Sequence, residues 1–381
     1  MIKLEAESLT ELRRRRSVKW RLFSDDILPL PIAEMDYPIA EPIQRTLIDM
    51  IEHSDLGYGG IVPELPLAFA EFAQHLWGWQ PDANQIRTAG DVGAAVTEVL
   101  RHLLPAHTSV AISSPVYMNF YNWIPESGCE LVDVPLDISD NYRLDLDQLE
   151  RAFQQGVKAY LLCNPQNPVG VVHSKSDLEK LAALANKYQV LVISDEIHGA
   201  LVYSETDFTP FLSINDDARK VGVSVTSASK TFNLAGLKCA LIISQNELMN
   251  ERLSKLPITL PQSASILGEW AGVTAFTQCS EWHTELIHVL DDNRRYLADL
   301  IQEFLPRAQY RIPQATYLAW IDLRAYGHAD PGAFILEHAG VALSRGVEFG
   351  AQASGYVRLN FATRPSTIRQ AIEAMAKVLE T

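Results

Sequence analysis

The sequence predicts an α/β protein, a mostly parallel sheet covered by helices and joined to a smaller α+β part. Three observations carry this. Short β-branched runs alternate with longer segments of helical period through the middle of the chain. Several of the runs are apolar throughout, as strands buried on both faces must be. From about Leu286 the pattern changes to a long helical stretch followed by isolated strands.

The expected strands of the first part are Ser109–Ser113, Leu131–Val134, Lys158–Cys163, Val190–Ser194, Val221–Thr226 and Cys239–Ile243. Between the third and fourth, Asp177 to Tyr188 carries Leu178, Leu181, Ala182 and Ala185 at helical spacing, with Asp177 as the candidate cap. Pro29 to Pro42 holds four prolines and reads as an extended segment. In the second part a helix through Leu300, a strand Tyr317–Leu323, a helix near Ala333–Ala339, a strand Gly355–Phe361 and a terminal helix are expected. No repeat, low-complexity tract or flexible linker separates the two parts, so they are expected to pack closely.

At 381 residues the chain is long enough for two packed domains and a sizeable buried site. Its 47% apolar and 21% charged composition is that of a soluble globular protein, and no window approaches the roughly 18 apolar residues of a membrane span. A formal charge of −15 repels polyanions, which argues against nucleic acid. The one basic run, Arg13 to Arg16, has no apolar stretch after it, so it reads as a solvated helix end rather than an export signal. Cys129, Cys163, Cys239 and Cys279 lie far apart, with no C-x-x-C pair. Cys163 and Cys239 sit in apolar runs as buried thiols, and a reducing cytoplasm is the expected location.

Four polar clusters stand at or near the carboxyl ends of expected strands, where open α/β sheets place their ligands. Asn164-Pro-Gln-Asn-Pro-Val-Gly170 follows the strand ending at Cys163, and its prolines would aim the Asn167 amide at a fixed point. Ser194-Asp195-Glu196-Ile197-His198 brings a carboxylate to the end of a buried strand, which is costly unless it meets a cation such as a protonated pyridine nitrogen. Ser227-Ala-Ser229-Lys230 offers a lysine that partial desolvation would keep neutral and able to form a Schiff base, beside hydroxyls suited to a phosphate. Ala89-Gly90-Asp91-Val92-Gly93 leads into a helix whose free N–H groups can take an anion. Each has a plainer reading: a structural turn, a capping aspartate, a surface lysine, an ordinary helix start. Asp-Glu-x-His can suggest a metal site, but no second group of histidines supports one. In register, the four favour one shared ligand.

With the asparagine turn, strand-end aspartate and S-x-S-K lysine in this order, the sequence resembles the fold-type I enzymes dependent on pyridoxal 5′-phosphate (PLP). Within them it resembles the MalY/PatB group of cystathionine β-lyases, also called cysteine-S-conjugate β-lyases. The match runs from Lys19-Trp20 and Ala33-Glu-Met-Asp36 through Gly57-Tyr58-Gly59 and Ser265-Ile-Leu-Gly268 to Ala315-Thr-Tyr-Leu-Ala-Trp320 and Val357-Arg-Leu-Asn-Phe361.

The resemblance implies an aspartate-aminotransferase-like fold with a seven-stranded, mostly parallel sheet in a large PLP-binding domain, residues 43–275. The segments 1–42 and 276–381 would form the small domain. It implies that Lys230 carries PLP as a Schiff base, Asp195 pairs with the pyridine nitrogen, Asn167 bonds the ring's 3-oxygen and Tyr117 stacks on the ring. Val92, Gly93, Ser227, Ser229 and Lys238 would hold the phosphate. His198 stands where many aminotransferases have a tyrosine, as is typical of the β-lyases. Arg358 would clamp the substrate's α-carboxylate, and Tyr58 would reach the phosphate and substrate region of a neighbouring subunit, making the site a property of a homodimer. Two departures stand out: Lys238 is a point charge where many relatives have an arginine fork, and Asp91 puts a negative charge beside the phosphate or caps the helix.

The reaction so implied is α,β-elimination from L-cystathionine or another cysteine S-conjugate, giving a thiol, pyruvate and ammonia. The alternatives are an aminotransferase, which would return the proton to the cofactor, and a PLP-fold protein that regulates a partner by binding it.

Overall fold

The computed structural model describes residues 3–60 and 62–380. At its centre lies a seven-stranded sheet. In chain order the strands are β1 (Ile86–Ala89), β2 (Ser109–Ile112), β3 (Glu130–Asp133), β4 (Ala159–Cys163), β5 (Leu191–Asp195), β6 (Gly222–Thr226) and β7 (Ala240–Ile243). They lie side by side as β1-β7-β6-β5-β4-β2-β3. The pairs β2/β3, β2/β4, β4/β5 and β5/β6 are parallel, and β7 is antiparallel to both neighbours. Six strands therefore run one way and one is reversed. Every residue of β4, β5, β6 and β7 is buried, which requires cover on both faces, and two apolar clusters supply it.

Strand β1 was not among the runs read from the sequence: Ile86-Arg-Thr-Ala89 holds two polar residues and lacks their apolar continuity. The other six match to within a residue or so at each end. One cap differs from expectation. The helix Lys175–Tyr188 starts one turn earlier, with Ser174 as its cap accepting from the Asp177 N–H, while Ser174 Oγ donates back to the Asp177 carboxylate at 2.8 Å. This reciprocal pair satisfies two groups at once and outcompetes a cap at Asp177.

A second, four-stranded antiparallel sheet is ordered β10-β11-β9-β8, with β8 Gln309–Tyr310, β9 Leu318–Asp322, β10 Ser344–Arg345 and β11 Tyr356–Asn360. The helices Ser280–Phe304, Pro331–Ala339 and Pro365–Leu379 accompany it. The N-terminal segment belongs with this sheet: Leu28–Pro29 pairs in parallel with Val341–Ala342, and Leu28, Leu30, Met35 and Tyr37 share one core with Ile321, Leu359 and Leu379. Pro29–Pro42 is extended until a helix begins at Glu41. The Arg13–Arg16 run is not simply solvated. Arg15 donates to the carbonyls of Met35 and Tyr37 at 2.9 and 3.1 Å and pairs with Glu7, because the buried extended segment has carbonyls that no strand satisfies. No described helix is long and apolar enough to cross a membrane.

Candidate active site

Because six strands share a direction, the segments after β1, β2, β4, β5 and β6 leave the sheet at one edge, and β7 enters there. Register fixes their level: Cys163 lies opposite Asp195, and Asp195 opposite Val225. The asparagine turn, the aspartate and the lysine segment thus arrive together. They open into a cavity of about 720 Å³, within the usual range for small-molecule sites. Every residue expected to hold cofactor or substrate lines this cavity except Tyr58.

Lys230 is on the short helix Ala228–Thr231, capped by Ser227, whose Oγ accepts from the Ser229 N–H at 3.0 Å and donates to the Cys239 carbonyl at 2.6 Å. The Lys230 ammonium donates to the Ala33 carbonyl at 2.9 Å. Burial, then the nearby Arg358 charge, pulls its pKa down to about 8. Asp195, the last residue of β5, has one oxygen bonded by the Ile197 N–H at 3.1 Å, and burial pushes its carboxyl up to about 7. A cation against it would reverse that shift. His198 is buried, held neutral by burial and by the Lys230 and Arg358 charges at a pKa of about 3, and its Nδ1 has no partner.

Opposite, Arg358 in the middle of β11 donates to Asn167 Oδ1 at 2.9 Å, to the Pro31 carbonyl at 2.8 Å and to Ser344 Oγ at 3.0 Å. Burial lowers its pKa to about 10, and its Nε is buried without a partner. Asn167 stands on the turn after β4, both of whose prolines follow cis peptide bonds. Gln166 anchors that turn by donating to the carbonyls of Ser113 and Pro115, each at 2.9 Å.

The carbonyls that Lys230 and Arg358 reach belong to a strap, residues 31–37, that closes one side of the cavity. Asn360 Nδ2 donates to Ile32 O and Glu34 O at 2.7 Å each, Tyr317 Oη to Ala33 O at 3.1 Å, and Asn233 bonds Met35 through both its N–H and its carbonyl. Below it, Lys19 pairs with Asp36 at 2.6 Å with neither side chain exposed.

At the far end the helix Val92–Leu103 begins. Asp91 caps it, accepting from the Ala94 N–H at 2.8 Å, and pairs with Lys238 at 2.7 Å. Val92, Ala95, Val96, Val99 and Leu100 form its buried face, with Leu103 partly buried. The Trp123 ring packs on Gly93, where a Cβ would lie 2.8 Å from it. Lys238 is left-handed at φ 52°, and a Cβ on Gly268 would collide with the Leu237 carbonyl, so that turn needs glycine as its neighbour. Tyr117 packs edge-on against Trp123 with ring centroids 5.7 Å apart and accepts from Asn119 Nδ2 at 2.8 Å.

Tyr58 lies elsewhere, fully exposed at 105% of its reference area. Sequence reasoning missed Trp123, Ser344 and the Pro31 and Ala33 carbonyls. The tryptophan carries no motif, and backbone acceptors carry no signal in side-chain identity. Glu196 turns away from the cavity: it accepts from the Phe211 N–H at 2.7 Å and Ser194 Oγ at 2.9 Å. Among the described residues no group of three or more His, Cys, Asp or Glu is placed to hold a metal ion. Of the thiols, Cys163 is buried as expected, Cys239 is half-buried, and Cys129 and Cys279 are also buried.

The site therefore offers a depressed lysine, a buried carboxylate, a guanidinium with an unused N–H and a helix start with a cation beside it, the parts needed to hold an aldehyde-bearing, phosphorylated heterocycle and an amino acid. The comparisons agree. The chain is 38% identical over 405 residues to a Mycobacterium tuberculosis protein provisionally named a cystathionine β-lyase, covering 99% of this chain and 98% of that protein. It is 30% identical over 374 residues to the cystathionine β-lyase PatB of Bacillus subtilis, covering 96% and 97%. The crystal structure of cystalysin from Treponema denticola, which contains PLP, superposes with a TM-score of 0.91 at 28% identity, covering 100% of this chain and 99% of that one. The family model for class I and II aminotransferases matches residues 26–375, and the chain belongs to that family.

Proposed function

We infer that the protein is a PLP-dependent carbon–sulfur β-lyase, which eliminates a thiol from L-cystathionine or another cysteine S-conjugate and yields pyruvate and ammonia. The single observation that carries this reading is that the half-buried Lys230 and the buried Asp195 meet in one cavity with Arg358 and His198. The residues fit the cofactor. Lys230 would hold its aldehyde carbon, Asp195 its pyridine nitrogen, Asn167 and the unpartnered His198 the side bearing the 3-oxygen, and Tyr117 the ring face. Val92, Gly93, Ser227, Ser229 and Lys238 would take the phosphate. Bound PLP supplies an electron-withdrawing ring that stabilises negative charge at Cα.

The chain's own groups do the rest. Arg358, with its unpartnered Nε, binds the substrate carboxylate as a charge-assisted fork and so fixes which Cα bond is broken. Lys230 Nζ, its pKa lowered to about 8 by desolvation and the Arg358 charge, takes the Cα proton as general base in its neutral form. The electron pair left at Cα forms the Cα–Cβ double bond as the Cβ–S bond breaks; the thiolate departs and takes up a proton, and water hydrolyses the released enamine to pyruvate and ammonia. The strap across the cavity limits water around Nζ. His198 in place of a tyrosine supports elimination over transamination, as do the names of the relatives.

The same reading gives a homodimer in which Tyr58 crosses to the partner's site, supported by its complete exposure in the single chain. It gives a large domain of residues 43–275 and a small one of 1–42 and 276–381, of which residues 1–2, 61 and 381 lie outside the described ones. The parallel pairing of Leu28–Pro29 with Val341–Ala342 supports that division. Four free thiols suit a cytoplasmic enzyme.

The test is incubation of the protein with L-cystathionine and no keto acid. Pyruvate and free thiol in equal amounts are expected; a requirement for an added keto acid would make the enzyme an aminotransferase instead.

A further inference from the structure

At the phosphate end, the charges of the cup come from two side chains, Lys238 and Asp91, and they are 2.7 Å apart. The Asp91 carboxylate also bonds the Ala94 N–H and feels that of Gly93, so it sits on first-turn donors of the helix Val92–Leu103 as well as on Lys238. Although burial pushes its carboxyl up, Lys238 and those N–H groups more than offset this and keep it ionised. A phosphate carrying nearly two negative charges therefore meets a cup whose side chains sum to zero.

We propose that Asp91 is a specificity-determining residue of the cofactor site, a built-in anion that competes with the phosphate for Lys238 and the helix start and so sets how loosely the cofactor is held. The proposal rests on the PLP reading above. It also explains the choice of residue: the helix needs a cap, and asparagine would cap it as well as aspartate without the charge. At these separations one unit of like charge changes anion affinity by roughly tenfold.

The experiment titrates the full-length protein and its Asp91→Asn and Asp91→Ser variants with PLP and, separately, with pyridoxal, which lacks the phosphate, reading the visible absorbance of the imine. Both variants keep a capping side chain, so the helix start is preserved. Each is expected to tighten PLP at least about fivefold, and to leave pyridoxal unchanged within about twofold. Affinity for PLP that stays the same or weakens would overturn the proposal, as would equal tightening of both vitamers, or tightening by asparagine alone, which its new amide donor would explain. If the unsubstituted protein gains no imine absorbance from either vitamer, the cofactor reading itself falls, a result distinguishable from all of these.

Discussion

Lys230 and Arg358 hold the same strap two residues apart, Lys230 at the carbonyl of Ala33 and Arg358 at that of Pro31, 2.9 and 2.8 Å away. Two cations thus face one cavity, one able to lose its proton and one not. In the proposed mechanism the lysine would serve as base and the arginine as clamp.

Lys230→Ala should abolish the imine absorbance and lower kcat/KM by roughly a thousandfold or more. The strap keeps its bonds from Asn360, Asn233 and Arg358, so the melting temperature should move little. A variant that retained both absorbance and activity would remove Lys230 from the chemistry.

Arg358→Gln would take away the charge-assisted bonds proposed for the substrate carboxylate. A loss of about 3 kcal/mol, roughly 150-fold in kcat/KM, is expected, chiefly through KM. Steady-state kinetics with L-cystathionine would measure it, and an unchanged KM would place the carboxylate elsewhere.

Lys19→Met leaves Asp36 buried without its ion pair, and the other Asp36 oxygen is already unpartnered. Destabilisation of about 3–5 kcal/mol is expected in urea unfolding. A loss under about 1 kcal/mol would mean that the pair contributes no more than an exposed one.

Glu196 is buried, and burial pushes its carboxyl up to about 7. A carboxyl whose folded pKa is raised gives stability that is fully present below its unfolded value, about 4.5, and lost as pH rises through about 7. Glu196→Gln keeps an acceptor for the Phe211 N–H and Ser194 Oγ but cannot ionise. Relative to the unsubstituted protein it should gain on the order of 3 kcal/mol between pH 4.5 and pH 8. Equal unfolding free energies for the two proteins at both pH values would contradict the assignment.

Much of this was legible in the residues alone. The runs of β4 to β7 could be read because burial on both faces keeps them mostly apolar, with only small hydroxyls such as Ser194 and Ser224 intervening, and Asp195 and Lys230 stand out because a charge beside such a run needs a partner. Strand β1 escaped because it pairs only with β7 at the sheet's edge and keeps Arg87 and Thr88. The strap was visible as a proline-rich extended segment, yet its part in the site was not, since its contacts run through carbonyls. Arg15 was misread for the same reason: what recruits it is backbone more than twenty residues away in the case of Tyr37. Tyr58 entered only through family resemblance, because a single chain gives it nothing to touch.

The proposed chemistry turns on a covalent bond between Lys230 and the cofactor. Reduction of the PLP-loaded protein with borohydride, followed by digestion and peptide mass analysis, tests it most directly. The phosphopyridoxyl mass should appear on the peptide containing Lys230; finding it on another lysine, or on none, would contradict the account.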